Sequence, residues 1–333
     1  MKNDALGELE ERIAADLERV EERLDASVHG SRDLIDELTS HLSTAGGKRM
    51  RPVLTLLCAE LGQPGEPASD PVINAATAVE LTHLATLYHD DVMDSAPQRR
   101  GVAAAHLQWG NNRAILAGDL LFARASKLVA DLGDDTIRYH ATTFERLCRG
   151  QLNETFGPAE NDDPIEFYIR VLADKTGSLI NTAAIFGAWH SGAPSEQAKA
   201  VAQYGERVGV AFQLADDVID LTSGGDVSGK TPGTDLLEGV ATLPVLLLRQ
   251  REKAGTLDEE GAAILADLEL DLSEPSTLAT VVKRIGAHDV VEETRTYARR
   301  WVDRAIEALD PLPESVAKEA LVEFARFAIE RMH

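Results

Sequence analysis

Apolar residues recur at three- and four-residue steps along most of this chain. Leu6, Leu9, Ile13, Leu17, Val20 and Leu24 form one such stripe near the N-terminus, with charged residues between them. Val72, Ala75, Ala76, Val79, His83, Ala85 and Leu87 form a second, which runs into His-Asp-Asp-Val-Met-Asp. A third is made by Val208, Ala211, Phe212, Ala215, Val218 and Ile219. A helix places such positions on one face, whereas a half-buried strand needs strict alternation, and alternation is hard to find here. The pattern predicts an all-α protein of many helices. Glycine, proline and small polar residues gather at 44–52, 62–71, 95–101, 157–164 and 223–233, which read as loops. None has the length or bias of a linker and no short repeat is visible, so residues 1–333 are expected to form one domain.

Composition narrows the function. Of 333 residues, 44% are hydrophobic, enough for a substantial core. The 33 basic residues face 56 acidic ones, for a net charge of −23, which disfavours nucleic acid or an anionic membrane as a bulk partner. A protein this acidic can bind phosphates only by gathering its cations locally or by recruiting metal ions. Cys58 and Cys148 lack any metal or redox spacing and read as reduced thiols. The acidic N-terminus does not fit a targeting peptide, and no apolar run approaches the ~18 residues of a membrane span. A cytoplasmic location is expected.

Gly224 to Thr231, GGDVSGKT, fits the phosphate-loop pattern G-x-x-x-x-G-K-[ST]. A phosphate loop follows a buried strand and opens a helix. Here the upstream residues continue a helical pattern that carries Asp216, Asp217 and Asp220, and Pro232-Gly233 follow directly. A nucleotide-triphosphate enzyme is therefore disfavoured.

The acidic groups carry more weight. Asp90-Asp91-Val92-Met93-Asp94 and Asp216-Asp217-Val218-Ile219-Asp220 both read D-D-x-x-D. The first and last aspartates of each project from one helix face, one turn apart, where they repel unless cations sit against them. Their apolar flanks place them at a cavity rather than on an open face. All-oxygen donors suit magnesium, which keeps waters and takes substrate phosphates as further ligands, and zinc spacing is absent. Lys48, Arg49 and Arg51 follow a glycine pair, Arg99 and Arg100 follow the first acidic group, and Lys175-Thr176 and Lys230-Thr231 add two more basic positions. Arginine forks and lysine point charges both suit phosphate. Together these residues point to a site for two phosphorylated ligands, one held through metal and one directly.

In order and spacing, GGKRMRP, ELTHLATLYHDDVMDSAPQRRG, QWGNNRAILAGDLLFARA, KTGSL, FQLADDVID and GKTPGTDLLEGVATLP resemble the trans-prenyltransferases, the head-to-tail isoprenyl diphosphate synthases. The resemblance implies a bundle of mostly antiparallel helices around a deep central cavity, usually as a homodimer. It implies Mg2+, three ions with substrate bound, on Asp90, Asp94 and Asp216, with Asp217 and Asp220 in support. It assigns Lys48, Arg51, His83 and Arg100 to isopentenyl diphosphate, and Arg99, Lys175, Thr176, Gln213 and Lys230 to an allylic diphosphate. Ionisation of the allylic substrate, attack by the isopentenyl double bond and proton loss to the departing diphosphate then give an all-trans prenyl chain. Val240 stands where family members often have lysine, and Gln151 and Glu154 match the family's helix only loosely.

Short-chain members tend to place an aromatic residue where this chain has Ala85, and Thr82 and Val79 further down are also modest. An open tunnel implies a product of C30 or longer, a quinone side-chain precursor passed to a membrane, with the helix of Leu120, Leu121 and Phe122 as another possible floor. The shorter alternative is a geranylgeranyl or farnesyl diphosphate synthase. A class I terpene cyclase shares the first motif, but GGKRMRP and the second D-D-x-x-D argue against it.

Overall fold

The structure, a computed structural model, describes residues 2–222, 232–330 and 332. The first helices are α1 (Lys2–Val28), α2 (Asp33–Thr44), α3 (Met50–Ala59) and α4 (Asp70–Met93). A hairpin of β1 (Gln98–Arg99) and β2 (Val102–Ala103) precedes α5 (Ala105–Trp109), α6 (Asn111–Ala130), α7 (Asp134–Phe156) and α8 (Pro164–Leu172). A π-turn (Ala173–Gly177) leads into α9 (Ser178–His190) and α10 (Ser195–Thr222). Beyond come α11 (Thr234–Leu237), α12 (Leu243–Ala254), α13 (Glu259–Asp267), α14 (Pro275–Ala287), α15 (Asp289–Glu307) and α16 (Val316–Glu330). The hairpin is the only sheet among the described residues, so the all-α expectation holds.

Residue contacts divide the chain into two compact units. One comprises Met1–Glu145, Ser178–Gly205 and Ala308–Phe324, the other Arg146–Gly177, Glu206–Glu307 and Ala325–His333. Three of the passages between them fall inside α7, α10 and α16. Continuous helices at these three points leave no glycine- or proline-rich linker there.

In the first unit α4 is the central helix. Pro71 sits in its first turn, where a missing N–H costs nothing. Val72, Ala75, Ala76, Val79, Leu81, Leu84 and Ala85 are all fully buried, so α4 is covered on several sides rather than along one stripe. Tyr88 ties it to α2: its buried hydroxyl donates to the Leu38 carbonyl and accepts the Leu42 amide. Polar pairs link α7 to its neighbours in this unit. Thr82 lies 2.9 Å from His140 Nε2, and Thr143 meets Thr182 at 2.7 Å.

The second unit is built on the far half of α10. Val210, Leu214, Val218 and Leu221, at helical spacing, join a cluster with Leu243, Leu247, Val281, Ile285 and Val290. Burying a side chain of this size contributes about 1.5–3 kcal/mol. That apolar stripe fixes which edge of α10 is left for the aspartates.

Candidate active site

The first acidic motif closes α4. Asp90 and Asp94 are half-buried, and the Asp94 amide donates to the Asp90 carbonyl at 2.8 Å, so the last helical turn holds the pair in register. Asp91 between them is fully buried, and its Oδ1 accepts Arg99 Nε at 2.7 Å. Arg99 ends β1, and the two-residue hairpin loop Arg100–Gly101 has positive φ at both positions, the form that matches strand twist. The hairpin thereby returns Arg99 and Arg100 toward α4.

A cationic cluster surrounds His83, two turns before Asp90. Arg49, the residue before α3, has φ 48° and is spent on structure: it donates to Glu21, to Glu80 at 3.1 Å and to the Ser43 and Gly46 carbonyls. Arg100 donates to the Leu42 carbonyl at 2.8 Å and to that of Gly46. Its guanidinium packs on Gly47, where a Cβ would come within 2.9 Å, so only glycine lets the arginine lie there. Arg51 differs from both. Its buried Nε has no hydrogen-bond partner among the described residues. Burial, with Arg100 adding to it, pushes its guanidinium down to about 10 against the pull of Glu80. An arginine held this way fits an anion brought by a ligand. His83 is kept well below its usual range by burial and then by Arg51, Arg100, Arg99 and Arg49, so it is a neutral donor–acceptor at neutral pH. The structure thus brings His83, Arg51, Arg99 and Arg100 together, while Lys48, two residues before α3, is exposed.

In the second unit, α10 runs unbroken through Thr222. The described residues that lead toward GGDVSGKT, through Thr222, are helix, which removes the strand a phosphate loop requires. Lys230 and Thr231 lie outside the described residues. Asp216 and Asp220 are half-buried, and Asp217 between them is 2% exposed. Burial and Asp235 hold the Asp217 carboxyl well above the usual carboxylate range, against hydrogen bonds from Tyr168 and Gln213. Lys175 and Thr176 occupy the π-turn, a widened turn often found at functional sites. Thr176 donates to Gln213 Oε1 at 3.2 Å. Lys175 donates to Glu154, and α7 approaches so closely that a Cβ on Gly150 would lie 2.7 Å from the Lys175 amide. Glu154, which the sequence matches only loosely, is therefore a direct partner of Lys175.

Of the two chain-length residues, Ala85 is fully buried in the cluster that packs α4 on α6, together with Leu121 and half-buried Phe122. Thr82 is engaged with His140, a residue the sequence gave no reason to single out.

Among the described residues no three histidine, cysteine or acidic side chains converge as a ready-made metal cage. Each motif instead offers a pair of half-buried carboxylates one turn apart. That donor set fits magnesium, which binds through one or two carboxylates and completes its shell with water and phosphate oxygens.

Comparison with known proteins agrees with this chemistry. Residues 32–265 match the family described as Polyprenyl synthetase. The chain is 40% identical to nonaprenyl diphosphate synthase of Mycobacterium tuberculosis over 322 residues, covering 96% of this chain and 93% of the relative. It is 35% identical to heptaprenyl diphosphate synthase component 2 of Geobacillus stearothermophilus, covering 96% and 97%. Its fold overlays that of geranylgeranyl pyrophosphate synthase from Corynebacterium glutamicum, solved with calcium and isoprenyl diphosphate, at a TM-score of 0.84. That pair is 42% identical, and the overlay covers 98% of each chain.

Proposed function

The chain belongs to the polyprenyl synthetase family, and from that membership we propose that it condenses isopentenyl diphosphate head-to-tail with an allylic diphosphate, giving a long-chain all-trans polyprenyl diphosphate. The observation that carries the site assignment is the common build of the two acidic motifs: outer aspartates half-buried, middle aspartate buried and bonded.

Asp90, Asp94, Asp216 and Asp220 hold magnesium, with three ions in the substrate complex. Bound magnesium supplies positive charge against the diphosphate as the allylic carbon–oxygen bond breaks. Lys175, Thr176, Gln213, Arg99 and Lys230 bind the allylic diphosphate. Lys48, Arg51 and Arg100 bind isopentenyl diphosphate, and neutral His83 adds a hydrogen bond without a charge. Electrons of the isopentenyl double bond form the new carbon–carbon bond, and the proton then lost passes to the departed diphosphate, so no separate base is needed. Apolar walls keep water from the cation.

The names of the relatives favour a nonaprenyl- or heptaprenyl-like length. A C20 product is the second reading, which the Corynebacterium glutamicum fold supports. On α6, Ile115 and Leu116 are exposed at 40% and 64%, an apolar face that suits the proposed homodimer. Sedimentation that gives a monomer removes the dimer. No helix of the described residues is long and apolar enough to cross a membrane, and the enzyme is proposed to act in the cytoplasm. The reaction type is tested by omitting one substrate. Allylic diphosphate must persist without isopentenyl diphosphate and be consumed with it; a hydrocarbon formed from the allylic substrate alone would make the protein a cyclase.

A further inference from the structure

Tyr168 lies in the middle of α8, buried with 8% of its surface exposed, and takes no part in the binding roles assigned to other residues. Its hydroxyl donates to Oδ2 of Asp217. Gln213, one turn earlier on α10, is a neighbour that draws the Asp217 carboxyl down against its burial. Gln213 Oε1 in turn accepts the Thr176 hydroxyl at 3.2 Å. One bond therefore joins α8 to the acidic end of α10, and another joins the π-turn to the same helix.

The helix geometry says what this line can do. Asp216 and Asp220 are about 40° apart around the axis of α10, and Asp217 lies about 100° from the first and 60° from the second. Any roll of α10 that swings the outer aspartates off their face also pulls Asp217 away from Tyr168. Leaving a buried carboxyl group without that donor is costly, so the bond from Tyr168 on α8 resists the roll. The first motif meets the same requirement differently: buried Asp91 is held by the cation Arg99. The second motif uses a neutral phenol, which adds no positive charge to compete with a metal ion beside Asp216.

The geometry points to Tyr168 as a positioning residue for the second acidic motif. Through Asp217 it holds Asp216 and Asp220 on the face they use. This rests on Asp216 and Asp220 being magnesium ligands. Phenylalanine at 168 keeps the ring that packs in the cluster with Leu214 and Val218 and removes only the hydroxyl.

Wild type, Tyr168→Phe and Asp216→Ala are titrated with Mn2+ alone by calorimetry, and turnover is followed against Mg2+ concentration. Tyr168→Phe is expected to keep its helical circular dichroism. Its Mn2+ dissociation constant and half-saturating Mg2+ should both rise about tenfold, as for groups that orient a metal ligand. Excess Mg2+ should restore most of kcat, which a merely structural defect would not allow. Mn2+ affinity and Mg2+ dependence within about twofold of wild type would overturn the positioning role. Asp216→Ala binding Mn2+ as tightly as wild type would instead overturn the metal assignment, and the role of Tyr168 with it.

Discussion

Arg99 is locked to Asp91, its Nε 2.7 Å from an oxygen of a carboxylate that is fully buried. The second Oδ of Asp91 is buried with no hydrogen-bond partner among the described residues, so Arg99 carries most of the compensation for that charge. The middle aspartate of the first motif therefore works inward, fixing the hairpin that carries Arg99 and Arg100.

Breaking that pair should cost stability as well as activity. Arg99→Ala leaves a buried carboxylate uncompensated, a loss of about 3 kcal/mol by analogy with other broken buried pairs. Urea denaturation without metal measures it. A midpoint equal to wild type would show that Asp91 does not depend on Arg99.

The outer aspartates should behave in the opposite way. Asp90→Ala and Asp216→Ala remove repelling charges from half-buried helix edges, so neither should lower the melting temperature without metal. Turnover should fall by more than about a hundredfold, beyond what is typical for groups that only support a ligand. Chelation of metal from wild type should stop turnover, and added Mg2+ should restore it. Near-normal turnover in either variant would remove that aspartate from the metal assignment.

Acid should weaken the fold through its buried histidines. Burial holds His83, His140 and His190 below the ordinary value of 6.5, and the surrounding arginines lower His83 further. The unfolded chain then takes up protons that the folded chain refuses. The stability contributed by the neutral rings is complete above about pH 6.5 and is lost as pH falls below it. Thermal melts at decreasing pH should show a falling midpoint, with a shallower fall in His140→Gln, which removes one such group while retaining a partner for Thr82. Equal slopes in the two proteins would exclude a contribution from His140.

Chain length should respond at Ala85. Phenylalanine there must enter the cluster between α4 and α6, with an overpacking cost of about 1–3 kcal/mol. Ala85→Phe is expected to shorten the products seen by mass spectrometry. An unchanged length in a folded variant would place the limiting wall elsewhere, with Thr82 and His140 the next pair to vary.

The helices were legible because their apolar spacing is regular, and the aspartates because two identical patterns sit in apolar surroundings. What the sequence hid is pairing across elements. Nothing in the string places Tyr168 against Asp217 or Arg99 against Asp91, because both bonds depend on how separate elements pack. The π-turn at Lys175 is equally silent, since nothing in its residues marks it off from the helices on either side. GGDVSGKT misleads for the converse reason: the local pattern is complete, but α10 occupies the place of the strand that would give it meaning.

The most direct test is to incubate the protein with a short allylic diphosphate, excess isopentenyl diphosphate and Mg2+, and to measure product masses. Successive additions of one isoprene unit, ending at C30 or longer, are the predicted result. Absence of any isopentenyl-dependent elongation would contradict the account.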